Sequence, residues 1–178
     1  MFSCGNKIDR GFETINENLH EILSIYPKAI NGDEEAKEKL DELIKEIDET
    51  AKEIKGIAKK DKQPTKEQKK QRKTVFQKIR LIKNRLKLEK DFKRAMSYDN
   101  LHNKITVLKK CVDFNKNLMN TNLLEDEDKA IELERISQNI STIKASILTK
   151  ASQLNDDEEL KKQYEFIINS LSQQKRID

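Results

Sequence analysis

Few residues in this chain could carry chemistry, so each can be weighed in turn. There are two histidines, His20 and His102, and two cysteines, Cys4 and Cys111, all widely separated in the sequence. Neither cysteine has a second sulfur, imidazole or carboxylate at metal-ligand spacing. The tetrapeptide "ENLH" sets Glu17 three residues before His20, the spacing by which di-iron bundles present ligands. Such centres need two copies and two further inward glutamates, and the sequence offers one copy. His20 follows the apolar Leu19, and His102 follows Leu101, so both read as boundary residues of amphipathic helices. "GNKIDRG" has neither the preceding strand nor the glycine spacing of a phosphate loop. Acid–base catalysis needs titratable groups with shifted pKa values held in a cleft, and a thin helical core offers few clefts. The residues point to no catalytic group, no metal and no cofactor, and so to a non-enzymatic protein.

The cysteines support that reading. Cys4, in "MFSCGNK", has no neighbouring base or cluster of cations to lower its pKa, so a reactive thiol is not supported. Cys111 stands beside Val112 in an apolar run and reads as a buried thiol. Two cysteines impose no disulfide framework, which fits a reducing, cytoplasmic setting. No apolar run approaches the roughly 20 residues of a membrane span, and no signal peptide precedes Cys4. The sequon Asn139-Ile140-Ser141 falls inside a helical run and reads as coincidence.

Charge is the strongest local signal. The net charge of +4 on 178 residues conceals a segregated pattern. Residues 1–58 hold 8 Lys/Arg against 14 Asp/Glu, net −6. Residues 59–94 hold 16 against 4, net +12, and residues 95–178 hold 12 against 14, net −2. The basic stretch "KEQKKQRKTVFQKIRLIKNRLKLEKDFKR" carries Lys66, Lys69, Lys70, Arg72, Lys73, Lys78, Arg80, Lys83, Arg85 and Lys87 as candidate partner-binding residues. Three uses compete. The cations can pair with the acidic segment "DEEAKEKLDELIKEIDE", each exposed pair being worth about 0–1 kcal/mol. They can face an acidic protein or an anionic membrane, where each contributes about 1 kcal/mol. They can meet nucleic acid, with steep salt dependence, but Phe76 and Phe92 sit at core positions and leave no stacking platform.

These residues must be held by helices. Charged residues make up 38% of the chain and hydrophobic ones 35%, with four glycines and two prolines, which favours long helices with one buried stripe each. Apolar residues recur at spacings of three and four throughout. The first run is Ile8, Phe12, Ile15, Leu19, Ile22 and Tyr26, and Pro27 predicts an end near Ile25. Gly32 permits a turn and Asp33 caps a second run, Ala36, Leu40, Leu43, Ile47, Ala51 and Ile54. Pro64 marks the next boundary, and Thr65 with Gln68 fits a capping box. The third run, Val75, Ile79, Ile82 and Leu86, then Leu88, Phe92 and Met96, shifts phase between Leu86 and Leu88. Its first turns, "KEQKKQRK", have no apolar face. "SYDN" breaks or bends the chain before Leu101, Ile105, Leu108, Val112 and Met119. "NTNLLEDED" reads as a loop. Leu133, Ile136, Ile140, Ile143, Ile147 and Leu154 follow, then a cap in "NDDEE" and a last run, Leu160, Tyr164, Ile167 and Leu171.

The expected fold is all-α: an elongated antiparallel bundle of five to six helices with coiled-coil-like packing. The candidate division is the loop at 120–127, giving an N-terminal bundle over 1–119 and a C-terminal hairpin over 120–178 packed on it as one domain.

Over residues 8–110 the chain resembles the N-terminal three-helix domain of syntaxins. The likeness lies in "GDEEAKEKLDELIKEIDETAKEIKGIAKK" and in "LKLEKDFKRAMSYD", where Leu88, Phe92 and Met96 fall four apart and Tyr98 follows. It implies a helical docking domain. The SNARE helix of that family carries a central glutamine among apolar layers. Gln138 and Gln153 do not take that place, and no membrane anchor follows "SQQKRID", so membrane fusion is not implied. "FSCGNK" is similar to the cleavage end of a spirochaete-type bacterial lipoprotein signal, although the apolar stretch before Cys4 is missing. That likeness implies a lipid-anchored surface protein binding a host or partner protein. The main expectation is an interaction or scaffold module whose basic helix meets an acidic partner or membrane surface, with nucleic acid as an alternative. A homo-oligomer stays open, since such stripes also serve dimers.

Overall fold

The computed structural model describes residues 4–60 and 65–174, with side chains over 7–60 and 65–173. These residues form seven α-helices and no strand: α1 (Cys4–Ile30), α2 (Glu34–Lys60), α3 (Lys66–Ser97), α4 (Leu101–Met119), α5 (Asp126–Leu148), α6 (Ala151–Asp156) and α7 (Glu158–Gln174). The protein is therefore all-α. Pro64 and the side chain of Cys4, both singled out in the sequence, lie outside the described residues.

The chain divides into two compact units, one ending at Leu86 and the other beginning at Lys87. The boundary falls inside α3, not in the 120–127 loop. The cause is the phase shift between Leu86 and Leu88. Val75, Ile79, Ile82 and Leu86 are buried in the first unit. Leu88, Phe92, Ala95 and Met96 belong to the hydrophobic cluster of the second.

The first unit packs α1, α2 and the beginning of α3. Ile8, Phe12, Ile15, Leu19, Ile22, Tyr26 and Ala29 line one face of α1 and are all buried, as are Leu40, Leu43, Ile47, Ala51 and Ile54 of α2. Full burial of each large apolar side chain contributes about 1.5–3 kcal/mol. Asn18 Nδ2 donates to Glu46 Oε2 at 2.9 Å, and a Cβ added at Gly11 would meet Ile54 Cδ1 at 2.9 Å, so α1 and α2 run antiparallel. Lys83 pairs with Asp48 at 2.6 Å, and Lys55 lies 4.8 Å from the Phe76 ring centroid, so α2 and α3 are also antiparallel.

Local signals set most helix ends. Gly32 takes φ 97°, and the Gly32 and Asp33 N–H groups donate to Ala29 O and Lys28 O at 3.2 Å each, closing α1 with a Schellman turn. Asp33 Oδ1 accepts from the Ala36 N–H at 3.0 Å and caps α2. The capping box opens α3: Gln68 N–H donates to Thr65 Oγ1 at 3.1 Å, and Thr65 N–H donates to Gln68 Oε1 at 2.9 Å. "SYDN" is a true break, since Asn100 Oδ1 accepts from the Asn103 N–H at 2.9 Å and starts a new helix. Asp157 Oδ1 accepts from the Leu160 N–H at 3.0 Å and caps α7.

Three expected boundaries differ. The first helix does not end at Ile25 but runs through Pro27 to Ile30. Proline costs about 3 kcal/mol in a helix interior. Here it sits in the last turns, and continuing the helix keeps Tyr26 (1% exposed) and Ala29 in the core. α5 begins at Asp126, inside the expected loop, because Asp126, Glu127 and Asp128 suit the positive end of its dipole. The fifth apolar run breaks at Thr149 and Lys150, so Leu154 lies on a separate short helix and the described helices number seven.

The second unit packs the end of α3 with α4–α7 around Ile105, Leu108, Cys111, Ile136, Ile143 and Ile147, each 0–1% exposed. Cys111 is a core residue, as expected. Lys129 Nζ donates to Met119 O at 2.9 Å and Thr121 O at 2.8 Å, which satisfies carbonyls at the end of α4.

Candidate functional site

The ten candidate cations of α3 do not share one surface. The helix has no buried position before Val75, and its first turns are largely solvated, apart from the side on which Gln68, Lys69 and Arg72 border a small hollow. Lys66, Lys69, Lys70 and Lys73 are exposed there and hold no ion pair among the described residues. Lys59 and Lys60 end α2 and are also exposed, so they add to the same basic end of the first unit. Farther along, Arg80 and Lys87 are exposed as well.

The remaining four are engaged within the fold. Arg72 is half-buried and lines a small hollow with Ile8, Phe12 and Ile54. Lys78 Nζ donates to Asn16 Oδ1 at 3.2 Å. Lys83 makes the Asp48 ion pair, which is the kind of α2–α3 pairing the opposite charges suggest. Arg85 corrects the sequence reading: it is 2% exposed, with its guanidinium carbon 5.3 Å from the Tyr26 ring centroid. A signal for this was present, because Arg85 stands three residues after Ile82 and three before Leu88, on the buried side of the helix.

Candidate chemistry elsewhere is sparse. Among the described residues no group of three or more His, Cys, Asp and Glu is placed to hold a metal ion. His20 and His102 are exposed. No described helix is long and apolar enough to cross a membrane. Asn139 of the sequon is buried and donates to Glu89 Oε2 at 2.7 Å.

Sequence reasoning missed a polar cluster in the second unit. Lys104 is 6% exposed, and its Nζ donates to Ser146 Oγ at 2.8 Å and lies 3.9 Å from Asp99 Oδ1. Asp99, in the turn between α3 and α4, also pairs with Lys150, in the break between α5 and α6. The hydrogen bond from Lys150 holds the Asp99 carboxyl below its ordinary value, against the opposing effect of desolvation, with both lysine charges adding to the lowering. A lysine beside a serine hydroxyl is a pairing that nucleophilic catalysis uses. Here Ser146 lies within α5, where the helix ladder already engages the Thr149 N–H with Ala145 O. The Asp99–Lys150 and Lys104–Ser146 contacts act as a staple, tying the α3–α4 turn and the start of α4 to the end of α5 and the break after it. Lys104 and Ser146 are 42 residues apart, and Asp99 and Lys150 are also far apart in the chain, so no local pattern could reveal these contacts.

Glu132 is likewise buried, at 1% exposed, and its Oε1 accepts from Arg135 Nη1 at 2.5 Å. This pair neutralises a carboxylate that the core needs satisfied.

Compared with family models, with curated proteins and with solved structures, the chain matches none.

Proposed function

We propose that the chain is a non-enzymatic interaction module that engages an acidic protein partner through the basic end of its first unit. The observation that carries this reading is the run Lys66, Lys69, Lys70 and Lys73, exposed and unpaired among the described residues on helical turns without an apolar stripe. Like charges this close repel one another across one or two turns. A folded chain that only needed solubility could intersperse acids there, as it does along α2. The surface is therefore suited to carboxylates brought by another molecule, which steer association at low salt. A syntaxin-like docking domain would act in this manner, and two cysteines without a disulfide framework support a reducing, cytoplasmic setting.

The test is a comparison of the full chain with a Lys66→Glu/Lys69→Glu/Lys70→Glu/Lys73→Glu variant, whose folding is checked by circular dichroism. Both are used to capture partners from the native source, and both are mixed with anionic vesicles and with RNA at low and physiological salt. Capture of an acidic protein by the native chain, lost in the variant, supports the reading. Binding confined to vesicles or to RNA would replace it with a membrane or nucleic-acid role.

A further inference from the structure

The first unit carries a second charged row, opposite in sign to the lysines of α3. In sequence α2 mixes acids with lysines, but helical spacing sorts them. Glu35, Glu38, Glu42, Glu46, Glu49 and Glu53 follow one another at intervals of three and four, and all are exposed. The row is turned away from the buried Leu40, Leu43 and Ile47, and Lys39, Lys45 and Lys52 fall to its flanks. Glu46 accepts from Asn18. The other five glutamate side chains hold no ion pair among the described residues.

The outward face of α3 in the same unit runs Lys66, Lys70, Lys73, Gln77, Arg80 and Asn84, again exposed and at intervals of four and three. No carboxylate interrupts it, since the only acid in 66–86, Glu67, lies off this row. From first to last residue each row is about 27 Å long by helical rise. The two rows do not neutralise each other inside the unit, because α2 and α3 meet through other residues, Asp48 with Lys83 and Lys55 with Phe76.

Rows of charge at this spacing set partner choice and orientation between paired helices. Opposite rows on two neighbouring helices of one molecule also permit a reciprocal contact. The α2 row of one copy can lie on the α3 row of another while the reverse pair forms beside it, which is the self-complementarity a two-fold interface requires. We propose that the first unit self-associates, with the glutamate row of α2 in one copy facing the basic row of α3 in a second copy. The inference rests on the reading that the α3 lysines take carboxylates from another molecule, and it names α2 of a second copy as one source of them. The facing rows hold no apolar stripe, so the association is weak and screened by salt.

The experiment is sedimentation equilibrium of the full chain at low and physiological salt. The native chain should self-associate at low salt and dissociate as salt rises. Glu35→Lys/Glu38→Lys/Glu42→Lys sets basic rows against each other, and Lys66→Glu/Lys69→Glu/Lys70→Glu/Lys73→Glu sets acidic rows against each other. Each variant alone should therefore associate at least tenfold more weakly. An equimolar mixture of the two restores opposite charge at both contacts and should form a heterodimer with an affinity within a few-fold of the native one. Recovery on mixing also shows that both variants are folded, and the single exchanges Glu38→Lys and Lys70→Glu replace any multiple variant that loses helix content. A native chain that stays monomeric at low salt, variants that self-associate undiminished, or a mixture that stays monomeric overturns the inference. Its failure is distinct from failure of the acidic-partner reading: the glutamate variant keeps the α3 lysines, so it should still capture an acidic partner whether or not the chain self-associates.

Discussion

Two helical glycines provide an internal control on how closely α1 and α2 pack. A Cβ added at Gly56 would meet nothing within 4 Å, whereas one added at Gly11 would meet Ile54 Cδ1 at 2.9 Å, Ile54 Cγ1 at 3.1 Å and Thr50 Cγ2 at 3.3 Å. Replacing glycine by alanine inside a helix gains roughly 1 kcal/mol of propensity. Gly56→Ala should realise that gain. Gly11→Ala receives the same gain and then opposes it with overpacking, which costs about 1–3 kcal/mol. Ile54 is 1% exposed, so its side chain has no solvent to move into. The net expectation for Gly11→Ala is a loss of about 1 kcal/mol. For a chain of this length each kcal/mol moves Tm by about 2–4 °C. Thermal melts should therefore place Gly56→Ala about 2–4 °C above the native chain and Gly11→Ala about as far below it. Trimming the obstruction with Ile54→Val should cost less in the Gly11→Ala background than in the native one, a coupling that a double-mutant cycle measures. If Gly11→Ala raised Tm as much as Gly56→Ala, the close approach of α1 to α2 at residue 11 would be refuted.

The cations of α3 should separate into structural and solvated groups. Arg85→Ala should cost about 2 kcal/mol through loss of its desolvated stacking on Tyr26, while Lys70→Ala should stay within about 0.5 kcal/mol in urea melts. Equal effects would contradict the burial difference. Removing the capping box with Thr65→Ala should cost about 1 kcal/mol, with hydrogen exchange quickening in the first turn of α3 and not at Ile82. Asp99 gives a pH dependence whose sign follows from its lowered folded pKa. The stability it adds is fully present above the ordinary value of 3.8 and is lost as pH falls through the folded value beneath it. Melts of the native chain and Asp99→Asn should therefore differ at neutral pH and converge in strong acid; a gap that persists there would sink the staple between the α3–α4 turn and Lys150.

The caps were readable from sequence because they are local. Asp33, Thr65 with Gln68, Gly32 and Asp157 act within a few residues of the backbone groups they satisfy. The phase shift between Leu86 and Leu88 was readable too. Its meaning was not: a change of stripe shows that a helix changes partners, and only three-dimensional packing shows that two units divide there. Pro27 misled because local preference says nothing of Tyr26 and Ala29, whose burial keeps the helix going. Arg85 misled in the opposite way, since a charge count treats all guanidinium groups as solvated while its helical position faced the core. The break at Thr149 and Lys150 has no glycine or proline, and the Asp99–Lys150 contact beside it joins residues far apart in the chain.

The central claim is that the exposed lysines at the start of α3 serve an acidic protein partner. The most direct measurement is the salt-dependent affinity of the captured partner for the native chain and for the Lys66→Glu/Lys69→Glu/Lys70→Glu/Lys73→Glu variant. The expected result is binding that weakens with salt in the native chain and falls at least tenfold in the variant, with unchanged helix content and Tm. Undiminished binding by the variant at low salt would contradict it.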